Sequence, residues 1–248
     1  MDFKKTTAQY YSKCLGKDDV LINMDCGIKF IFSTERNKIQ YGYAQQFDLY
    51  LFYRPNRIII SYGNKLTDKI DELKKQMTVG ITLESIKEIL ECMFGGKVKH
   101  SIKYCLNKIP DIQLKSRPLT NIEYPEYHSF FLKNNPECKS TDWLKEYFDE
   151  MMSEQLCCGL FVNDVLVSCS DVPGMPYMKN MVQEIGINTL QEHRGKGYAA
   201  DVCISASKAI INRGKCPQWS TSNDNIASQR LAEKVGFLKY SDVLMITL

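Results

Sequence analysis

The sequence predicts an α/β chain with a mixed α+β sheet, organised in two parts, on three observations. Runs of β-branched and aromatic residues recur along the 248 residues, amphipathic helical stretches are interspersed among them, and one polar stretch between two prolines divides the chain near its middle. A chain of this length suits one large domain or two small ones, either able to bury a core.

The first part, residues 1–112, reads as an α+β accessory domain. GIKFIFS (27–33), LYLFY (49–53) and RIIISY (57–62) are strand-like, and Arg54-Pro55-Asn56 turns the chain between the last two. Two amphipathic helices follow. Leu66, Ile70, Leu73 and Met77 share one face of the first; Leu83, Ile86, Ile89, Leu90 and Met93 share one face of the second, which Thr82 caps and Gly95-Gly96 ends. VKHSIKYCL (98–106) is strand-like again.

Pro110 and Pro118 bracket DIQLKSR, a linker that places a boundary near residue 112. The second part, residues 113–248, opens with helices at 124–132 and 142–155, the latter with Asp142 as N-cap. Strands at 157–162 and 165–170 are joined by an Asn163-Asp164 hairpin turn, and MVQEIGINT (181–189) is the next strand. Val202, Ala206, Ala209 and Ile210 then mark a helix that stops at Arg213-Gly214. A final helix takes Ala227, Leu231 and Val235 as its buried stripe and Gly236 as its terminator. The insertion DVPGMPYMKN (171–180) is read either as lining a substrate mouth or as a disordered hairpin tip.

Composition excludes several classes. With 32 basic and 29 acidic residues, a net charge of +3 and no dense basic run, nucleic acid is not an expected partner. The start, MDFKKTTAQYY, has no apolar core of a leader, and no stretch approaches the roughly 18 apolar residues of a membrane span, so a cytoplasmic protein with no membrane partner is expected. Ten scattered cysteines without any N-x-Ser/Thr sequon fit reduced thiols. Cys157 and Cys158 are adjacent rather than C-x-x-C, and His100, His128 and His193 lie far apart, so no metal is expected.

The most informative stretch is QEHRGKGYAADV (191–202), between a strand and the first turn of a helix. A helix N-terminus presents unpaired N–H groups and about half a positive charge, which together attract phosphate. Gly195 and Gly197 remove side chains that would hold a diphosphate off those amides, and Arg194 and Lys196 add full charges. The loop is therefore read as a pyrophosphate cradle, against the plainer reading of a strand-to-helix turn with incidental glycines. Residues 195–200 also satisfy G-x-G-x-x-A, but only about fifty residues remain, too few for the repeated parallel units of a dinucleotide fold. No G-x-x-x-x-G-K-[ST] occurs.

Arg194-x-x-Gly197-x-Ala199 together with Asn225-x-x-Ser228-x-x-Leu231-x-x-x-x-Gly236-Phe237 resembles the two signature motifs of the GNAT superfamily of acyl-CoA-dependent N-acetyltransferases. The resemblance spans roughly residues 113–248, with the specific motifs within 184–237. The form beginning at Trp219 looks most like a bacterial branch that includes a zwittermicin-resistance acetyltransferase.

The resemblance implies a splayed central sheet flanked by helices, and acetyl-CoA as co-substrate. Arg194, Gly195, Lys196, Gly197, Tyr198 and Ala199 would hold the CoA pyrophosphate. The main chain of Ile187, Asn188 and Thr189 would pair with pantetheine, and one of its amides would face the thioester carbonyl. Asn225 would contact pantetheine, a role compatible with capping the last helix, and Ser228 the phosphate arm.

Attack on the thioester needs a neutral amine, so a base must take a proton from an ammonium whose pKa is near 10. Glu184 is the acid available on residues 181–189, and a salt-bridged surface glutamate is the alternative reading. Many relatives carry a tyrosine as general acid where this chain has Ala232; Tyr198 and Tyr240 are substitutes without positional support. Cys203 and Cys216 could suggest an acyl-cysteine, though helix-interior cysteines are usually small hydrophobes.

The resulting expectation is acetyl transfer to a primary amine of a small molecule, by direct attack in a ternary complex. A protein or peptide N-acetyltransferase and a non-catalytic CoA-binding regulatory domain are the alternatives. A homodimer is compatible with all three.

Overall fold

A computed structural model describes residues 1–40, 45–95 and 98–248. In chain order its elements are α1 (Phe3–Cys14), α2 (Val20–Asn23), β1 (Gly27–Phe32), β2 (Ile39–Gln40), β3 (Gln45–Gln46), β4 (Leu49–Arg54), β5 (Arg57–Tyr62), α3 (Ile70–Gln76), α4 (Leu83–Phe94) and β6 (Lys99–Leu106). There follow β7 (Arg117–Pro118), α5 (Tyr124–Asn134), α6 (Leu144–Glu154), β8 (Cys158–Val162), β9 (Val165–Asp171), β10 (Val182–Glu184), β11 (Gly186–Thr189), α7 (Tyr198–Asn212), β12 (Cys216–Ser222), α8 (Ile226–Lys234) and β13 (Phe237–Ile246).

Several local expectations hold for clear reasons. Thr82 caps α4 by accepting the Ser85 N–H at 3.2 Å, and Gly95 ends it in the left-handed region at φ 65°. Gly96, the other residue of that stop, lies outside the described residues. Asn163 and Asp164 both take positive φ, as a two-residue hairpin turn between twisted strands requires. Gly236 is confined doubly: its φ is 98°, and a Cβ there would sit 1.8 Å from Lys108 O.

Other local expectations are corrected. Asp142 does not cap α6, because Trp143 occupies the N-cap position and the Asp142 carboxylate instead accepts the Ser140 hydroxyl at 2.8 Å. The buried face of α8 is Ala232 and Val235, while Ala227 is exposed and Leu231 half-buried. Helix α1 has no counterpart in the sequence reading. Its buried residues include Thr6, Thr7, Tyr10, Tyr11 and Ser12, so hydroxyls stand where an aliphatic stripe would have signalled a helix.

The strands form a seven-stranded mixed sheet, ordered β1-β5-β4-β13-β6-β12-β10, and a four-stranded sheet, β11-β9-β8-β7. The expected boundary near residue 112 falls between β6 and β7, and the large sheet crosses it. Strand β6 is antiparallel to β12 on one side and β13 on the other. The bracketed linker is also tied down: Asp201 in the first turn of α7 accepts the N–H groups of Lys115 and Ser116 at 2.9 and 2.8 Å.

Alternation along the strands separates two faces. One carries Ile102, Tyr104 and Trp219 under α7 and α8, and Leu49, Leu51, Ile58 and Ile60 under α3 and α4. The opposite face carries Phe52, Ile59, Cys105, Val243 and Met245 beneath α1 and the 172–181 segment.

Candidate active site

The two sheets meet where one strand changes partners. Val182, Gln183 and Glu184 pair in parallel with Cys216, Pro217 and Gln218, and the Ile185 N–H reaches Gln218 O at 3.2 Å. From Gly186 onward the chain pairs with β9 instead, leaving β11 and β12 splayed apart. Leu190 N–H donates to Val167 O at 2.9 Å. By antiparallel alternation Asn188 also bonds towards β9, and the main-chain groups of Ile187 and Thr189 turn to the gap.

That gap opens into a cleft of about 670 Å³ between β11, β12, the start of α7 and α8, a volume in the ordinary range for ligand sites. Among the expected residues, Ile187, Asn188, Thr189, Arg194, Gly195, Gly197, Tyr198, Ala199, Asn225 and Ser228 line it. Lys196 and Glu184 do not.

The loop geometry follows from its glycines. Gly195 and Gly197 have φ of 75° and 84°, and Gly197 is the N-cap of α7. A Cβ at either would meet nothing within 4 Å, so the backbone angle, and not crowding, calls for glycine in the free protein. The first main-chain bond into the helix runs from Asp201 N–H to Gly197 O at 3.2 Å; the amides of the preceding turn have no intrahelical acceptor. Arg194 turns back to donate from Nε to Thr189 O at 3.1 Å, tying the end of β11 to the loop.

Helix α8 forms the other wall. Asn225 caps it, its Oδ1 accepting the Ser228 N–H at 3.1 Å, while the Ser228 hydroxyl accepts Trp219 Nε1–H at 3.2 Å. Both side chains are thus engaged in holding the wall, with the Trp219 ring packed at a tilt against Phe237 behind it.

Sequence reasoning missed Trp219, Ser220, Thr221, Arg230 and Lys234 as cleft residues. Ala227, Arg230, Leu231 and Lys234 recur at helical spacing on one face, a signal that could have placed two cations opposite the α7 terminus. His193 also lines the cleft, with its Nδ1 buried and lacking a partner among the described residues.

Glu184 sits at the end of β10, just before the splay. It is half-buried, and its Oε1 accepts a hydrogen bond from the Ser220 hydroxyl. Its N–H donates to Met175 Sδ at 3.3 Å, so the 171–180 insertion lies against it; Tyr177 of the same insertion donates to Glu35 at 2.7 Å.

Ala232 is fully buried and does not line the cleft. Tyr240 is buried on the α1 side, stacked on Tyr11 at 6.1 Å, whereas Tyr198 borders the cleft. Burial pushes the Cys203 thiol far up and that of Cys216 up to about 12, which disfavours the thiolate an acyl-cysteine route would need. Among the described residues, no group of three or more His, Cys, Asp and Glu could hold a metal ion, and no helix is long and apolar enough to cross a membrane.

The sequence model of the GNAT acetyltransferase family matches residues 56–242. No curated protein matches the chain. Among solved structures, it is similar to a GNAT-family acetyltransferase from Colwellia psychrerythraea at 18% identity, covering 60% of this chain and 57% of that one, with a TM-score of 0.52. It is also similar to a GCN5-related N-acetyltransferase from Sphaerobacter thermophilus at 13% identity, covering 65% and 55%, with a TM-score of 0.50. The chain thus spans less than two thirds of the length of these structures.

Proposed function

We propose, for a chain that belongs to the GNAT acetyltransferase family, that it acetylates the primary amine of a small molecule from acetyl-CoA by direct attack in a ternary complex. The observation that carries this reading is the juxtaposition of the splay, the α7 terminus and Glu184. A cleft able to take an extended cofactor is lined at one end by Ile185 and Ser220, the chain neighbour and the hydrogen-bond partner of Glu184.

The residues fit acetyl-CoA. Free amides at Tyr198–Ala200, two left-handed glycines with open space before them, and the cations Arg230 and Lys234 suit a diphosphate and a further phosphate. Ile187 and Thr189 offer main-chain groups to a pantetheine amide. Bound there, acetyl-CoA supplies an activated acyl carbon.

Glu184 takes a proton from the acceptor ammonium, and Ser220 holds its carboxylate in place. The amine nitrogen then forms the new C–N bond as the C–S bond breaks, with the bonding pair leaving on sulfur and the second N–H proton passing to solvent as the amide forms. An amide of β11 facing the carbonyl oxygen stabilises the charge that develops there, a contribution of about 3 kcal/mol. With Ala232 buried, no tyrosine of α8 protonates the departing sulfur, and a thiolate of pKa around 8.5 leaves without that help.

The buried Ala232 is also the observation that favours a second reading, a CoA-holding domain without turnover. Thiol release from acetyl-CoA, measured against aminoglycosides, polyamines, amino acids and peptides, decides between them. Steady release dependent on a small amine supports the proposal, and binding without release to any acceptor supports the alternative.

A further inference from the structure

The sheet face beneath α1 carries a polar row that hydrophobic packing does not account for. Glu184 of β10, Ser220 of β12, Lys103 of β6 and Ser241 of β13 lie on this face, with Lys103 in register with Ser220 on one side and Ser241 on the other. The row starts at the cleft, which Ser220 lines, and runs inward.

Lys103 is only 4% exposed. Among the described residues its ammonium forms no ion pair within 4.0 Å, and Nζ is not one of the wholly enclosed orphan atoms, so it keeps a small exposure. A lysine so largely desolvated without a counter-ion is costly to keep charged.

The surroundings add to the positive excess. Arg36 is fully buried; its Nη2 donates to Cys14 O at 2.8 Å, its guanidinium lies over the Tyr50 ring at 5.1 Å, and among the described residues Nε and Nη1 have no hydrogen-bond partner. The Cys14 thiol feels Arg36, Lys103 and Glu184 together, which places all three around the second half of α1. Glu35, the carboxylate beside Arg36, is engaged by Lys38 and Tyr177. Glu184 is the carboxylate whose charge reaches Lys103, whereas Glu35 is the one that feels Arg36. Burial holds the Lys103 ammonium below its ordinary pKa, with Glu184 opposing the shift, as expected of a charge that still lacks its counter-ion.

We infer that the acceptor is a small zwitterion, its amino group meeting Glu184 and an anionic group a few bonds away held at Lys103. The inference rests on the acetyltransferase reading above and names its substrate class. Strands β10 and β6 are two apart and Glu184 is level with Cys105, two residues along from Lys103, so the two Cα atoms lie about 12 Å apart. A small zwitterion would span what the two long side chains leave of that distance. Lys103 is then a specificity-determining residue.

The test is a paired panel of amino acids and the amines obtained by removing their carboxylate: ornithine with putrescine, tyrosine with tyramine, histidine with histamine. For wild-type protein, at least one amino acid is expected to exceed its partner amine about tenfold or more in kcat/KM, the value of one charged hydrogen bond. Lys103→Met should abolish that preference through KM for the amino acid, leaving the partner amine and the KM for acetyl-CoA within about twofold; Lys103→Arg should retain part of it.

The wild-type comparison needs no variant and stands even if Lys103→Met fails to fold. Preference for the decarboxylated amine throughout, or an equal loss on both members in Lys103→Met, would overturn the inference. So would binding of acetyl-CoA with transfer to no member of any pair, which leaves the cofactor assignment intact. Failure to bind acetyl-CoA at all defeats the functional proposal itself.

Discussion

Ser220 and Glu184 are joined across the last parallel rungs of the sheet: the serine hydroxyl on β12 donates to Oε1 of the glutamate on β10, one residue before the strand changes partners. This bond fixes one carboxylate oxygen and leaves the other to accept a proton. Glu184→Gln keeps the shape and removes the basicity. It should lower kcat by about a hundredfold or more while CoA affinity stays within twofold, as read by steady-state kinetics beside a cofactor titration. Full activity of Glu184→Gln at every pH would remove the base from the mechanism.

Asp201 should matter for stability more than for chemistry. Its carboxylate collects the N–H groups of Lys115 and Ser116, and Ser116 Oγ donates to Asp201 O, so the start of α7 is clasped to the chain that leads into β7. Asp201→Ala strands these donors and should cost about 2 kcal/mol in denaturant unfolding. An unchanged midpoint would mean that this clasp is redundant.

Lys103 gives a pH signature with a definite sign. Its folded-state pKa is depressed, first by burial, so between that value and the unfolded value near 10.4 the unfolded chain binds more protons. The penalty of the buried charge is present in full below the folded pKa and fades as pH rises through it. Wild-type stability relative to Lys103→Met should therefore increase towards alkaline pH, and Lys103→Met should be the more stable near neutrality. Parallel stability curves for the two proteins would contradict the assigned burial.

The cleft was legible in the sequence because its geometry rests on residues with few alternatives. A left-handed φ at residues 195 and 197 points to glycine, and Asn225 can cap α8 from a single position. The large sheet was not legible in the same way. Nothing local in VKHSIKYCL states that it will lie between two strands more than a hundred residues downstream, since pairing across such distances is set by which faces must be buried together. Helix α1 hides for a different reason: Thr7, Tyr10 and Ser12 are buried through hydroxyls, as in the Ser12 Oγ bond to Ala8 O at 2.7 Å, and leave no aliphatic period to read. The cleft face of α8 was misassigned because alanine and leucine are equally at home in a core and against a ligand. Only the sheet beneath shows that Ala232 and Val235 face inward.

Whether the amides at the start of α7 hold the diphosphate of CoA is read by calorimetric titration of CoA into Gly197→Asp beside Gly197→Asn. Both side chains tolerate the left-handed backbone and suit an N-cap, so both proteins should fold; they differ in one negative charge at the proposed phosphate site. Gly197→Asp should bind CoA at least about a hundredfold more weakly than wild type, and more weakly than Gly197→Asn. Equal affinity of wild type, Gly197→Asp and Gly197→Asn would contradict it.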